Sequence, residues 1–456
     1  MNFSPEQIHD FDRLTNVHAY KELFFIEDLL LIPLFLFLIV RFLKYWRERQ
    51  PAEIRKYFLP GYGVRLLGII AFLIHHILIY KGGVDSFTYY WSSNQLYTLF
   101  KIDPLSSLKL IFTSYDTYLP ENINLNLSSF IFTNQESIVI KSATVISFFC
   151  FNSYVVVSML MGLFAYGGCW RIYKVFYSFY PHLSKPLAIT CLFIPSVFFW
   201  SSVISKEIVC IGAMGYFFYA YFNLFFERKN ILVNTLMLII MGWLLMRVKL
   251  YILLAFTPPI LLLLLISMVG NIKNKFIRRV SIPVVMVTLG YAVYWAFINL
   301  SDNFESFSMD TILESARTTY IYLTLEGFAE SRYSLGEFEP TINGVLKLAP
   351  AGMNVTLFRP YVWEANKPIT LIASMESLLT LLVTLYVIFK TGFIRTLNSI
   401  FTNPVILFCV IFSMVFALAV GITSGNFGTL MRYKIPMMPF YFTSLVLIYY
   451  RVQKKS

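Results

Sequence analysis

The sequence predicts an all-α polytopic membrane protein with about eleven transmembrane helices. Three observations support this fold class. Of the 456 residues, 57% are hydrophobic and only 14% are charged, whereas soluble domains contain about a quarter charged residues. Apolar runs long enough to cross about 30 Å of hydrocarbon recur along the chain. Basic residues are concentrated in alternate connections between these runs, as in membrane proteins of fixed orientation.

The apolar runs form one predicted transmembrane domain, over residues 27–450, with a preceding segment 1–26 and a tail 451–456. Two of the connections between runs are long, 82–142 and 300–367. The eleven runs cover residues 27–43, 66–81, 143–167, 186–204, 207–226, 231–246, 250–270, 281–299, 368–389, 401–421 and 435–450.

The distribution of charge predicts the orientation. If the N-terminus is outside, the inner segments, with Arg65 counted among them, hold 21 basic and three acidic residues, a net charge of +18. The remaining residues carry a net charge of −6, and the two values sum to the +12 of the whole chain. Because Lys and Arg collect in cytoplasmic loops, we expect the N-terminus outside and the C-terminus inside. Both long loops then lie on the outer face, where we expect any chemistry to take place.

The residue content also excludes several classes of site. The five cysteines fall in or beside apolar runs without paired spacing, so neither a disulfide framework nor a zinc site is indicated. The inner loops are too short for a nucleotide-binding domain, and no phosphate-binding GxxxxGK[ST] motif occurs. The positive charge is explained by membrane orientation, so we expect no nucleic-acid partner.

The first candidate site follows the second run, in KGGVDSFTYYW. Asp85 lies just outside the predicted hydrocarbon, and a carboxylate at an apolar boundary tends to have a raised pKa, which suits a general base. Tyr89 and Trp91 follow at headgroup depth, where they could contact a sugar or an acceptor. The alternative is an interfacial aromatic belt beside one solvated aspartate.

A second candidate is the turn PSVFFWSSVISKE, between the fourth and fifth runs. It places Lys206 and Glu207 on the predicted outer side, with Glu207 as a second candidate base and Lys206 as a phosphate ligand. The alternative is a snorkelling pair of charges at the interface.

Two further pairs of cations violate the positive-inside pattern. Arg247 and Lys249 lie in MRVKLY, and Arg432 and Lys434 lie in GNFGTLMRYK, both on the predicted outer side. Guanidinium and ammonium groups at headgroup depth are well suited to hold a lipid-linked phosphate. The alternative is binding of anionic headgroups without chemistry.

The last candidates lie in LFRPYVWEANKP, before the ninth run. Arg359 is a candidate phosphate ligand and Glu364 a third candidate base, while Trp363 and Asn366 could contact a sugar. Glu376 lies two turns inside the ninth run, and an acid within a membrane span is by default a functional candidate.

This layout resembles the GT-C superfamily of integral membrane glycosyltransferases, which use polyprenyl-phosphate-linked sugars on the outer or lumenal side. Members have an Asp soon after an early span, where a large first outer loop begins, as Asp85 and loop 82–142 do here. A second large loop follows their seventh core helix, as 300–367 does when the second run is counted first. The resemblance covers about 65–390. The chain departs from the family in two respects. It has an extra N-terminal span, and it has one clear Asp where some members have a pair of acids.

The resemblance implies a hexosyltransferase-like enzyme of cell-surface polysaccharide assembly in a bacterial inner membrane. Its partners would be a polyprenyl-linked sugar donor, a glycan or lipid acceptor, and membrane lipid. The catalytic base stays open between Asp85, Glu207 and Glu364. No cofactor is required by the residue spacing, although a divalent cation bridging Asp85, a second acid and the phosphate stays possible in this scheme.

Two alternatives remain. The chain also resembles polymerases and ligases of the O-antigen type, which act on polyprenyl-pyrophosphate glycans and rely on outer-face arginines, here Arg247, Arg332, Arg359 and Arg432. A transporter or flippase of lipid-linked sugars would need polar residues along a path through the bilayer. The predicted intramembrane charges instead cluster at the outer edge, which makes the carrier the weaker alternative.

Overall fold

The computed structural model describes residues 23–80, 84–112, 131, 135–270, 331–336 and 339–453, with isolated residues and short stretches between 274 and 321. This part of the chain is helical and contains no strand, which confirms the predicted all-α class. The chain divides into two compact units, Met1–Leu250 and Tyr251–Ser456. The single transmembrane domain over 27–450 stays a prediction. Most of the eighth apolar run, 281–299, lies outside the described residues.

The first unit is built from helices of very different length. Short π-helical segments, Ile74–Tyr80 and Asn223–Glu227, extend two of them. The helices are α1 (Asp28–Glu48), α2 (Arg55–Leu73), α3 (Asp85–Ile102), α4 (Pro104–Phe112), α5 (Glu136–Cys150), α6 (Tyr154–Phe179), α7 (Ser184–Leu192), α8 (Pro195–Trp200), α9 (Lys206–Phe222) and α10 (Ile231–Gly270), which continues into the second unit.

Close packing of α6 against α9 forms the centre of the first unit. Glycines allow the two backbones to meet: a Cβ added at Gly215 would overlap the carbonyl oxygen of Gly168. Small residues of this kind permit the close approach of helices in membranes, where dispersion and interhelical contacts replace the hydrophobic effect.

The second unit has an aromatic core. Phe256, Phe408, Phe412 and Phe440 pack with ring centroids 4.9–5.7 Å apart, mostly edge to face. Its further helices are α11 (Ile342–Phe358), α12 (Pro368–Thr391), α13 (Phe393–Thr402), α14 (Pro404–Thr423), α15 (Phe427–Tyr433) and α16 (Met438–Gln453).

Among the described residues, seven helices are long and apolar enough to cross a membrane, which is compatible with an integral membrane protein. The predicted count of eleven spans and the predicted orientation stay predictions. The seven segments are Asp28–Glu48, Arg55–Ile79, Tyr154–Phe179, Lys206–Glu227, Ile231–Gly270, Pro368–Thr391 and Pro404–Thr423. Ile231–Gly270 covers two of the apolar runs in one stretch of 40 residues.

The region predicted as loop 82–142 is largely helical where it is described. Helices α3 and α4 and the first turns of α5 occupy it, and α3 packs against both α4 and α5. Sequence reasoning missed α3 because its buried face is rich in Ser and Tyr rather than in aliphatic residues. Buried hydroxyls are satisfied instead, as where Tyr90 donates to the carbonyl oxygen of Asn152 at 2.8 Å.

Two apolar runs are broken by local backbone geometry. Run 143–167 is divided where α5 ends, because Phe151 and Asn152 adopt positive φ values of 53° and 60°. The side chain of Ser153 then caps α6 by accepting from the Val156 N–H at 3.3 Å. Run 186–204 forms two short helices, α7 and α8, separated just before Pro195, which cannot donate a backbone hydrogen bond.

Arg65 is the clearest departure from the predicted charge distribution. It was counted with the inner loops, but it lies within α2 with 2% of its surface exposed. Its guanidinium donates to the carbonyl oxygen of Ser201 at 2.8 Å, to that serine's Oγ at 2.6 Å and to Sγ of Cys169 at 3.0 Å. At about 1.5 Å per residue, ten residues place it about 15 Å along the helix from Arg55, near the middle of a bilayer-length segment.

Candidate functional site

The first group of charged residues surrounds an interruption in α10. Lys249 leaves helical geometry (φ −150°, ψ 82°), and its ammonium forms an ion pair with Oε1 of Glu207 at 3.1 Å. Both side chains are only 6% exposed. Glu207 lies in the first turn of α9, whose N-terminus is capped by Ser205 through the Ile208 N–H at 3.3 Å. The pair is therefore fixed by two helix ends and shielded from water.

Helix α5 adds two charges to this group. Glu136 accepts a hydrogen bond from the Lys206 ammonium at 2.7 Å, with both side chains mostly buried. Burial lowers the pKa of Lys141, and the nearby positive charge of Arg247 lowers that pKa further. Consecutive residues of α9, Lys206 and Glu207, thus bind different partners rather than each other.

We call these six residues the charged cluster: Glu136, Lys141, Lys206, Glu207, Arg247 and Lys249. It holds four cations and two carboxylates, so its formal charge is +2. Two cations are neutralised in the ion pairs just described. Lys141 and Arg247 lie close enough for the charge of one to lower the pKa of the other, and a bound anion would stabilise both. Phosphate oxygens are well matched to guanidinium and ammonium donors.

The Asp85 segment lies in the same unit. Asp85 begins α3 and is half-buried, so its carboxylate lies at the positive end of the helix dipole. Tyr89 is buried, with 4% exposure, whereas the sequence had placed it at headgroup depth in reach of a sugar or an acceptor. Trp91 is half-buried, and its Nε1–H has no hydrogen-bond acceptor among the described residues. Helix α5 packs against both α3 and α9, which carry Asp85 and Glu207.

The second group lies in the second unit, around Arg359. The guanidinium Nε donates to both carboxylate oxygens of Glu364 at 3.0 Å, and an Nη also donates to Oε1. Burial alone would raise the pKa of Glu364, but the hydrogen bonds from Arg359 and the Tyr361 N–H lower it, and the positive charge acts in the same direction. The guanidinium also lies 5.5 Å from the ring of Tyr333 and 5.4 Å from that of Phe427.

Lys434 is linked to the same place through a serine. Its ammonium donates to Oγ of Ser377 at 3.3 Å, and that hydroxyl donates to the carbonyl oxygen of Arg359 at 3.1 Å. Lys434 is 1% exposed. Its ammonium interacts electrostatically with the carboxylate of Glu376, which is half-buried on α12. Lys434 is therefore a buried internal cation, whereas the sequence had placed it at an open outer loop.

The remaining predicted residues lie at the edge of this second group. Trp363 is 81% exposed and stacks on Tyr361 with a centroid distance of 4.9 Å. Asn366 is exposed and Arg432 half-buried. Arg332 forms an isolated antiparallel bridge with Asn426, next to the Tyr333 and Phe427 rings that Arg359 contacts.

Sequence reasoning found Lys206, Glu207, Arg247 and Lys249 but missed Glu136 and Lys141. The sequence contained a signal for both: they are an acid and a base just before the third apolar run, at the end of the region that was interpreted as a loop. It also missed Tyr333, which became meaningful only through its contact with Arg359.

No group of three or more His, Cys, Asp or Glu in the described part of the chain could hold a metal ion. All five cysteines are buried and unpaired with one another. Comparison with protein families, with characterised proteins and with solved structures gives no match. Functional assignment therefore depends on the side-chain chemistry of the two groups.

Proposed function

We propose that the protein is a membrane glycosyltransferase of cell-surface glycan assembly. It transfers a sugar from a polyprenyl-phosphate-linked donor to a glycan or lipid acceptor, at the outer face of a bacterial plasma membrane. The observation that carries this proposal is the net positive charge of the charged cluster, in which the two ion pairs are mostly buried, Lys141 is half-buried and Arg247 is exposed. Neighbouring cations in such a setting favour a ligand with a phosphate group.

Lys141 and Arg247 bind the donor phosphate in this proposal. Lys249 and Lys206, each held by a carboxylate, keep the surrounding potential positive and the geometry fixed. A cation held in a buried ion pair is a poor direct ligand, because binding another anion would require breaking the pair. This assigns direct contact to Lys141, which the sequence did not indicate, and moves Lys249 to a supporting role.

Asp85 is the proposed base. An acceptor hydroxyl oxygen attacks the anomeric carbon while its proton passes to the Asp85 carboxylate. The bond between the anomeric carbon and the phosphate oxygen breaks, and its electron pair leaves with the polyprenyl phosphate, giving inversion. A phosphate already neutralised by Lys141 and Arg247 needs no strong general acid to leave.

The other two candidate bases receive different roles. Glu207 is ion-paired with Lys249, and Glu364 accepts hydrogen bonds from Arg359. Each carboxylate is engaged by the cation beside it, and uptake of a proton from an acceptor hydroxyl would break that pair. Both are therefore proposed to position the cations beside them.

The test uses purified protein in nanodiscs with radiolabelled polyprenyl-phosphate sugars. We expect formation of glycosylated acceptor and release of polyprenyl phosphate. Asp85→Asn should lower turnover at least about 100-fold, since one general base contributes about 10²–10⁴-fold. Arg247→Ala should lower it by about 10²–10³-fold, the effect of removing one group that stabilises developing negative charge. Lys229→Ala is the matched control, because its ammonium lies at the other end of the α9 segment, in an exposed pair with Glu227. Full activity of both site variants contradicts the mechanism.

A second candidate is an O-antigen-type polymerase or ligase. It is favoured by one observation in the second unit: Arg332 and Arg359 lie near the same residues, Tyr333 and Phe427. Such an enzyme would release polyprenyl pyrophosphate rather than monophosphate. Identification of the released lipid therefore separates the two enzymes. Movement of intact donor across liposomes without release would instead indicate a carrier of lipid-linked sugars.

A further inference from the structure

Helix α13 is a separate element between two longer helices. Gly392, with φ +77°, ends α12, where a residue with a side chain would be strained. Asn403 begins α14 by accepting from the N–H groups of Val405 at 3.0 Å and Ile406 at 3.2 Å. Between them α13 has ten residues, too short to cross a membrane.

Three different faces run along α13. With about 100° between successive residues, four large apolar side chains fall within an arc of about 100°. They are exposed to different extents: Phe393 (65%), Ile394 (81%), Leu397 (38%) and Phe401 (62%). Arg395 and Asn398 form a neighbouring exposed polar face.

The third face, which packs on the protein, combines small hydroxylic residues with one aliphatic side chain, Ile400, which packs against Leu262, Ile266 and Leu407. Thr396 and Ser399 are 7% and 3% exposed, and the Thr396 hydroxyl lies 2.6 Å from that of Thr391. The helix therefore buries its hydroxyls and exposes its largest apolar groups, the reverse of a helix on a water-soluble protein. An exposed apolar face bordered by polar residues is typical of helices that lie in a membrane interface.

Basic groups lie at both ends of this helix. Lys390 and Arg395 are exposed on either side of the Gly392 turn. At the other end, Arg451 donates to the carbonyl oxygen of Thr402 at 3.3 Å and to its hydroxyl at 3.0 Å. Residues 377–456 contain seven Lys and Arg and no Asp or Glu, so no acidic residue of this stretch offsets these charges.

We propose that α13 lies in the plane of the membrane interface and binds anionic phospholipid. Phe393, Ile394, Leu397 and Phe401 enter the acyl-chain region. Lys390, Arg395 and Arg451 contact headgroup phosphates, and Asn398 faces water. Charge complementarity selects the occupant, because a neutral lipid or an apolar protein surface would leave the three cations without a counter-charge.

The first test compares two positions on the same helix. Ile394→Cys and Asn398→Cys are each labelled with a fluorophore in nanodiscs; the five native cysteines are buried and serve as a low-reactivity background. Lipids carrying a quencher on the acyl chain should quench the probe at 394, whereas aqueous iodide should quench the probe at 398. Equal quenching by iodide at both positions overturns the proposal. So does the absence of lipid quenching at 394 in a protein that is dimeric, because a second copy then covers this face.

The second test measures headgroup preference. Native mass spectrometry counts bound phosphatidylglycerol against phosphatidylcholine for Lys390→Gln, Arg395→Gln and the control Lys347→Gln, which removes an exposed cation from α11. Each of the first two should reduce the preference about fivefold, because one basic group near an anionic surface contributes about 1 kcal/mol. The control should leave it unchanged. Equal preference in all four proteins refutes binding of anionic headgroups at this helix.

Discussion

The buried ion pair between Lys249 and Glu207 allows a quantitative test of the charged cluster. Two single substitutions, Glu207→Leu and Lys249→Met, each remove one partner, and the double variant removes both. Each single variant leaves a charge in a site where only 6% of the side chain is exposed. The double variant leaves an apolar pair of similar volume. We therefore expect the single variants to be much less stable than the double variant.

The magnitude follows from the geometry. At 3.1 Å and an effective dielectric constant of about 20, the Coulomb attraction is ~5 kcal/mol. Desolvation of both groups cancels much of this attraction in the native protein, so the intact pair contributes little net stability. Removal of one partner costs about 3–5 kcal/mol, because the remaining charge stays buried and loses its ion pair. Replacement of both by apolar residues is often close to neutral.

The assay is the free energy of unfolding in mixed micelles, measured by detergent titration for the wild type and the three variants. The exposed pair Lys229–Glu227, with 67% and 36% of the side chains accessible, provides the control. Glu227→Leu should leave the unfolding midpoint unchanged. Additive destabilisation in the double variant would show that the two charges at 207 and 249 do not stabilise each other, and the reasoning would fail.

Three further predictions concern other contacts. Gly215→Ala should destabilise the protein by about 1–3 kcal/mol, since its Cβ would overlap a carbonyl oxygen of α6. Gly63→Ala, which has open space around it, should not destabilise the protein, and thermal unfolding of the two variants makes the comparison. Glu364→Gln should lower the thermal midpoint at neutral pH, and the difference should vanish as the pH falls through the lowered pKa of Glu364. Ser201→Ala should lower the free energy of unfolding by about 1–3 kcal/mol, because it removes an acceptor from Arg65, and the loss should be smaller in an Arg65→Met background, where only the bond from Ser201 to the Val197 carbonyl is lost.

The sequence predicted the helical class correctly because long apolar runs have few other solutions in lipid. It could not predict which charges meet. Lys206 and Glu207 are adjacent, but successive helical side chains point about 100° apart, so each binds a different element. Their partners, Glu136 and Lys249, are distant in sequence and depend on how α5 and α10 pack against α9.

The missed helix α3 has a different cause. Hydropathy detects helices that bury aliphatic side chains, but α3 buries Ser86, Ser92 and Ser93 beside tyrosines. These hydroxyls are compatible with burial only because partners such as Tyr154 and Thr144 meet them. Such pairing is a property of the packed structure, so a single-sequence pattern contains little trace of it.

Arg65 is synthesised well before the residue that accepts its hydrogen bonds. Its acceptor, Ser201, is made 136 residues later, which at about 5–20 residues per second is a delay of roughly 7–27 s. During that interval, α2 carries a guanidinium whose insertion at the centre of a membrane helix costs about 2.5–3.5 kcal/mol. With Arg55–Ile79 as a membrane span, its apolar residues keep the helix in lipid until Ser201 is made. Substitutions that weaken α2 should then cause loss of the protein during insertion rather than after folding.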